Sequence, residues 1–152
     1  MQAAGLATAF AKTFAKPLTE LPLTGTAAAI TLQAALLSPE YEALSRALSP
    51  AGLSQKFAVA VAQGQPETAT APSDRARAIA TGFASSPPAT LQALLDQDKL
   101  GEVILRAMSL AYQGHLGDDS ALSEALATLR AVGLEDTARR AALQALLLTA
   151  EG

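Results

Sequence analysis

The single histidine of the sequence, His115, lies in a glycine-flanked stretch close to two acidic residues, Asp118 and Asp119. An imidazole nitrogen and carboxylate oxygens could bind a metal ion or transfer protons. A metal site needs three or four converging ligands, however, and acid–base chemistry needs a partner group held in fixed geometry. The stretch can instead be interpreted as a turn, in which Gly114 ends one helix, Gly117 reverses the chain and the two aspartates cap the next helix. We favour the turn and keep His115, Asp118 and Asp119 as the candidate metal ligands.

No other residues are spaced for catalysis. The chain has no cysteine, which excludes disulfides, thiolate metal sites and cysteine nucleophiles. It contains no glycine-rich frame of the kind that binds phosphate, and no histidine–carboxylate–nucleophile set. The acidic pairs Glu40/Glu42 and Asp96/Asp98 fall at predicted helix ends, where carboxylates are hydrated or stabilise the helix dipole. The sequence therefore predicts a protein that is not an enzyme and has no cofactor, and it argues against a small-molecule ligand.

The stretch LRAVGLEDTARRAALQALLL consists of two helical segments around Gly133, as a helix-turn-helix motif does. Its second segment ends in an apolar run that is unsuited to a DNA groove. Arg139 and Arg140 could bind phosphate, but Glu135 and Asp136 each lie four residues before one of them, the favourable spacing for ion pairs within a helix. We therefore expect both arginines to be exposed and the stretch to be a helical hairpin with Gly133 in the left-handed conformation. The core residues expected from this hairpin are Leu129, Val132, Leu143, Leu146 and Leu147.

The composition is that of one helical domain. Ala and Leu are the most frequent residues, aromatic residues make up 4% of the chain, and 152 residues are enough to bury a core. The net charge of −3 is spread without a basic stripe, which argues against nucleic acid as a partner. No apolar segment approaches the roughly 20 residues needed to span a bilayer. We expect a soluble all-α protein, in either the cytoplasm or the periplasm.

Serine–proline steps at Ser38, Ser49 and Ser86 have the form of an N-cap followed by proline in the first helical turn, so each is expected to start a helix. Together with the other capping residues they predict a single domain of about eight helices. We expect these to pack as antiparallel hairpins, in an α-solenoid-like stack or an irregular bundle. The expected spans are 2–16, 24–37, 39–48, 50–63, 73–84, 87–97, 100–113, 119–132 and 135–149, of which 39–48 and 87–97 could join neighbouring helices.

Two helices are expected to bury large side chains. Leu6, Phe10 and Phe14 recur at every fourth position of the first helix and predict that this face docks onto the domain. The segment LGEVILRAMSLAYQG has apolar residues all around its axis, and only Glu102 and Arg106 in it are charged. We expect the helix formed by this segment to lie at the centre of the domain.

A stretch of turn-forming residues from 64 to 72 is predicted to be an exposed loop. It would divide the one domain, residues 1–152, into two possible sub-repeats, 24–63 plus 73–84 and 87–149. The motif TLQAALL in the first sub-repeat recurs as TLQALLD in the second, which favours an internal duplication.

The segment DDSALSEALATLRAVGLEDTARRAALQALLL, residues 118–148, resembles the terminal hairpins of Ala/Leu-rich helical-repeat proteins of high-GC bacteria. The resemblance implies stacked helical hairpins and no particular activity. We therefore predict a non-catalytic protein–protein interaction or scaffold module, which could be the C-terminal part of a larger bacterial protein and whose partner is another protein or a second copy. One alternative is a small-molecule- or metal-binding helical domain that uses His115, Asp118 and Asp119. A second alternative is a helix-turn-helix-like nucleic-acid binder.

Overall fold

The alanine- and leucine-rich segments form helices throughout the described chain. The computed structural model describes the backbone of residues 2–148 and the side chains of residues 5–148. Within that range there are nine α-helices, one 3₁₀ turn and no strand, which confirms the prediction of a single all-α domain. The helices are α1 (Gln2–Thr19), α2 (Gly25–Leu37), α3 (Tyr41–Ala47), α4 (Leu53–Ala62), α5 (Asp74–Ala84), α6 (Ala89–Leu95), α7 (Leu100–His115), α8 (Asp119–Ala131) and α9 (Glu135–Leu147), and the 3₁₀ turn is Pro66–Thr68.

The N-caps predicted at the three serine–proline steps are wrong. Helices α3, α4 and α6 begin two or three residues after the corresponding proline, because a short turn or extended segment comes first. Ser38 instead ends α2, where its buried hydroxyl donates to the Ala35 carbonyl oxygen at 2.8 Å. Ser73 and Asp118 do act as N-caps, since their side-chain oxygens accept backbone N–H groups of α5 and α8 at 3.2 and 3.0 Å.

Helix α8 lies at the centre of the domain and packs against α5, α7 and α9. Two glycines allow close contacts with α5 and α7. A Cβ atom at Gly82 of α5 would lie 2.6 Å from the Ser123 carbonyl oxygen, and one at Gly114 of α7 would lie 2.7 Å from the Leu122 Cβ. Glycine at these two positions therefore lets both neighbouring helices approach α8 closely. The buried residues of α8 are Ala121, Leu122, Ala125, Leu126, Ala127, Thr128 and Leu129.

The prediction that the helix in residues 100–113 is central is wrong, because α7 lies at the surface. Only Val103, Ala107 and Gly114 of α7 are buried, and they share the face that is turned towards α8. Close contact with α8 requires small side chains, so alanine and glycine face inwards and the large apolar side chains on the opposite face stay exposed.

The docking face predicted for the first helix is also wrong. Leu6, Phe10 and Phe14 are exposed, and α1 packs against α2 through the buried residues Ala11 and Ala15. The reason is again the size of the contacting groups, because two alanines allow the helices to approach more closely than two phenylalanines would.

Contacts between helices that are far apart in sequence make the domain an irregular bundle. Helix α5 packs against α8, and both α2 and α4 pack against α9. In a solenoid each repeat contacts only its neighbours. Of the two expected arrangements, the structure is therefore the irregular bundle, and its shared core includes Phe57, Ile79, Leu126 and Leu143.

The C-terminal hairpin turns at Gly133, whose φ of +82° lies in the left-handed region. This conformation carries the chain from α8 into α9. Of the five core residues expected from the hairpin, Leu129 and Leu143 are buried, whereas Val132, Leu146 and Leu147 are partly exposed.

The connection from residue 64 to residue 72 is less exposed than expected. It contains the 3₁₀ turn, whose Pro66 is fully buried, and Ala69 and Ala71 pack against the main core. Only part of this segment, including Glu67 and Thr70, is exposed.

Candidate functional site

The three candidate metal ligands have different roles in the structure. Helix α7 continues through His115, so Gly114 lies inside the helix and does not end it. Asp118 caps α8, and the Asp119 Oδ1 lies 3.2 Å from the Arg75 Nη2 on α5. Among the described residues, no group of three or more histidine, aspartate or glutamate side chains could hold a metal ion. Both aspartates instead hold α8 in place, one as a cap and the other through an ion pair.

A cleft of about 450 Å³ lies between α2, α4 and α9. Gln33 closes one side of it, because its Nε2 donates to the Leu147 carbonyl oxygen at 3.2 Å and so ties α2 to the end of α9. Other polar side chains that line the cleft are uncharged and include Ser54, Gln55 and Ser73. The apolar lining includes Ile30, Leu32, Leu36, Ala58, Leu146 and Leu147.

A second cleft, of about 350 Å³, lies between α1 and α2. It is lined by Leu6, Phe10 and Leu37, and it shares Ile30 and Gln33 with the first cleft. The two clefts therefore adjoin along α2. We refer to the two together as the α2 groove.

A polar cluster joins α3 to α9 on another part of the surface. The Tyr41 hydroxyl donates to the Asp136 Oδ1 at 2.8 Å, and the Arg140 Nε donates to the Asp136 Oδ2 at 2.8 Å. The Arg140 guanidinium also lies 4.9 Å from the centre of the Tyr41 ring. Burial, together with the hydrogen bond to Asp136, raises the pKa of Tyr41 to about 12, and the hydrogen bond from Arg140 holds the pKa of Asp136 below its ordinary value.

The expectation that Arg139 is solvent-exposed is wrong, because only 20% of its side chain is accessible. Its Nε donates to the Glu135 Oε1 at 3.2 Å, and its Nη1 donates to the Glu42 Oε2 at 3.3 Å and to the Ala62 carbonyl oxygen at 3.4 Å. The pairing with Glu135 within α9 could be read from the spacing. The contacts with α3 and α4 arise only because those helices pack beside α9.

Perturbed pKa values often mark active sites, but ion-pair networks perturb them too. The cleft beside Arg140 has a volume of about 100 Å³, well below the roughly 300–1,000 Å³ that is typical of ligand pockets. The Tyr41–Asp136–Arg140 cluster therefore acts as a structural link between two helices, and the α2 groove is the stronger candidate for a binding site.

The pKa of Tyr41 tests whether the Tyr41–Asp136–Arg140 cluster links α3 to α9. In a Tyr112→Phe variant, Tyr41 is the one remaining tyrosine, and we expect its ultraviolet absorbance to titrate with a pKa of about 12. Because this value exceeds the roughly 10 of an unfolded tyrosine, the folded protein retains the proton longer. The associated stability is present below about pH 10 and is lost as the pH rises towards 12. Asp136→Asn in the same background should lower the pKa of Tyr41. A Tyr41 pKa near 10 in the Tyr112→Phe protein, with Asp136 intact, would contradict a buried, hydrogen-bonded Tyr41 hydroxyl.

The fold and the groove together define an all-α domain with an open apolar groove on one side. Comparisons of the chain with protein-family models, with curated protein sequences and with solved structures gave no match. No helix in the described part of the chain is long and apolar enough to cross a membrane.

Proposed function

We propose that this domain is a non-catalytic protein-interaction module that binds an apolar helix of a partner protein in the α2 groove. The observation that carries the proposal is the exposure of large apolar side chains on the helices that form the groove. Leu6 on α1 is 71% exposed and Ile30 on α2 is 53% exposed, and Phe10 lines the same cleft. A contiguous exposed apolar surface of this kind is typical of binding sites in soluble proteins.

The shape of the groove favours a helix over a small molecule. A small-molecule pocket encloses most of its ligand's surface, whereas walls such as Leu6 and Ile30 are themselves more than half exposed. The α2 residues that line the groove lie between Ala29 and Leu37, which corresponds to a length of roughly 12 Å. A helix that lies in a groove needs contact along only one of its faces, and a length of roughly 12 Å accommodates about two turns.

The chemistry of the groove defines the face of the partner that it would accept. No charged side chain is found among the described residues that line either cleft. Burying a charge of the partner there would leave that charge without a counterion, at a large cost in free energy. The partner helix should therefore present apolar anchors at positions i, i+3, i+4 and i+7, while Gln33 and Gln55 offer hydrogen bonds to uncharged polar groups beside them.

A displayed library of amphipathic helical peptides tests the proposal with no single partner chosen in advance. We expect selection on the wild-type domain to enrich peptides with apolar residues at helical spacing, and Ile30→Asp to weaken their binding at least about tenfold, because it places an unpaired charge in the apolar contact. Leu21→Asp is the matched control, since Leu21 is 54% exposed and lines neither cleft. Equal binding by wild type and Ile30→Asp, with both proteins folded by circular dichroism, would contradict the proposal.

A further inference from the structure

We propose that the outer face of α7 is a two-fold interface at which two copies of this chain form a dimer. The face consists of Leu105, Met108 and Tyr112 of α7 and of Leu116 directly after it, which we together call the α7 stripe, and these residues are between 54% and 68% exposed. Their spacing of three and four residues places them on one side of the helix. The opposite side of α7 is already occupied by its contact with α8.

The order of side chains along α7 favours a second copy as the occupant. An isologous contact requires a surface that is complementary to itself under a two-fold rotation. If two α7 helices pack antiparallel about an axis near Met108, Leu105 of each copy lies opposite Tyr112 of the other. The same rotation brings Leu116 opposite Gly101, a residue with open space around it, so the large side chain meets a small one.

The charges beside the stripe are compatible with this arrangement. Glu102 and Arg106 already form an ion pair within α7, in which the Arg106 Nη2 lies 2.6 Å from the Glu102 Oε1. In the antiparallel pair, these two residues lie on the flank that faces Ser109 and Gln113 of the second copy. Like charges therefore do not meet across the interface, and both uncharged partners can form hydrogen bonds with the ion pair.

The size of the contact indicates a weak and reversible dimer. The 16 residues of α7 span about 24 Å. Two helices of this length in contact bury on the order of 1,000 Å² in total, which is near the lower limit for a specific interface. We therefore expect a weak monomer–dimer equilibrium, because interfaces at the low end of the size range are typical of transient complexes.

Two variants that place opposite charges at position 108, next to the two-fold axis, test the proposal. In sedimentation equilibrium, the average mass of the wild-type chain should rise from its monomer mass of 15.5 kDa towards twice that value as the protein concentration is raised into the millimolar range. Met108→Lys and Met108→Glu should each remain monomeric, because the two-fold rotation brings like charges together. An equimolar mixture of these two variants should form a heterodimer. Only an interface in which residue 108 of one copy lies against residue 108 of the other predicts this result.

The controls separate this surface from the α2 groove. Leu53→Lys, at a residue of α4 that is 60% exposed, should dimerise as the wild type does, and so should Ile30→Asp. All variants change exposed side chains, and their folding is checked by circular dichroism. A wild-type chain that stays monomeric at millimolar concentration, or a mixture of the two Met108 variants that fails to associate, would overturn the proposal. Dissociation by Ile30→Asp but not by Met108→Lys would overturn it as well and would assign self-association to the α2 groove.

Discussion

Gly114→Ala should lower the free energy of unfolding by about 2 kcal/mol, although alanine is ordinarily the better helix former. The added Cβ would lie 2.7 Å from the Leu122 Cβ and 2.8 Å from the Leu122 Cα. Part of this obstacle is backbone, so the clash is relieved only by moving α7 away from the central helix α8. We expect the melting temperature to fall by roughly 4–8 °C.

Gly101→Ala is the matched control for this prediction, since Gly101 lies in the same helix and a Cβ atom there would meet nothing within 4 Å. This substitution should leave stability unchanged or raise it by up to about 1 kcal/mol, because alanine loses less backbone entropy than glycine on folding. Urea unfolding at micromolar protein concentration, followed by circular dichroism, measures both changes. If Gly114→Ala also proved stabilising, α7 would not approach α8 as closely as the structure shows.

Phe57→Ala should have the larger effect, a loss of about 3–5 kcal/mol in the free energy of unfolding. Phe57 on α4 is 0% exposed and belongs to the main core. Its truncation removes apolar burial and leaves a cavity that the surrounding helices fill only in part. A loss of this size is a large fraction of the stability of an ordinary domain, so the variant should unfold at a clearly lower urea concentration than the wild type.

Phe14→Ala provides the comparison, because it makes the same chemical change at a side chain that is 48% exposed. Its ring contacts the Phe10 ring, with centroids 5.0 Å apart, and we expect a loss below about 1 kcal/mol. The same urea unfolding measurement serves both variants. Similar losses for Phe57→Ala and Phe14→Ala would mean that α1 buries its aromatic face, as the sequence pattern suggests, and would contradict the observed docking of α1.

Local features of the fold could be predicted from the sequence because they depend on residues only a few positions apart. The caps at Ser73 and Asp118 satisfy N–H groups of the helices that they begin, so the residue types at those positions are sufficient evidence. The pairing of Arg140 with Asp136, four residues earlier, follows equally from helical spacing, and its 2.8 Å hydrogen bond is present.

The faces that α1 and α7 bury could not be predicted in the same way. A helical pattern shows which side of a helix is apolar, but both sides of these helices carry apolar residues. Leu6 and Leu105 are outside, whereas Ala15 and Ala107 are inside. The choice depends on how closely two backbones can approach, which is a property of a pair of helices and not of one helix.

The candidate binding site was missed for a related reason. Residues such as Leu6, Ile30 and Leu146 lie far apart in the sequence and line adjoining clefts only after α1, α2 and α9 have packed together. No single segment carries a signal for the α2 groove. A helix such as α2, which is apolar on nearly every side, leaves open which of its residues will remain exposed.

The sequence by itself determined that the chain is helical. Ala and Leu favour helix wherever they occur, and a capping side chain bonds to the helix that it begins, so neither effect needs a distant residue. It also placed the turn at Gly133, whose left-handed φ needs no distant partner. Only the tertiary structure decided that α8 is central, that Arg139 reaches Glu42, and that the large apolar side chains of α1 and α7 lie outside. The physical reason is that close packing selects the small faces of helices for contact, and this selection depends on both partners at once.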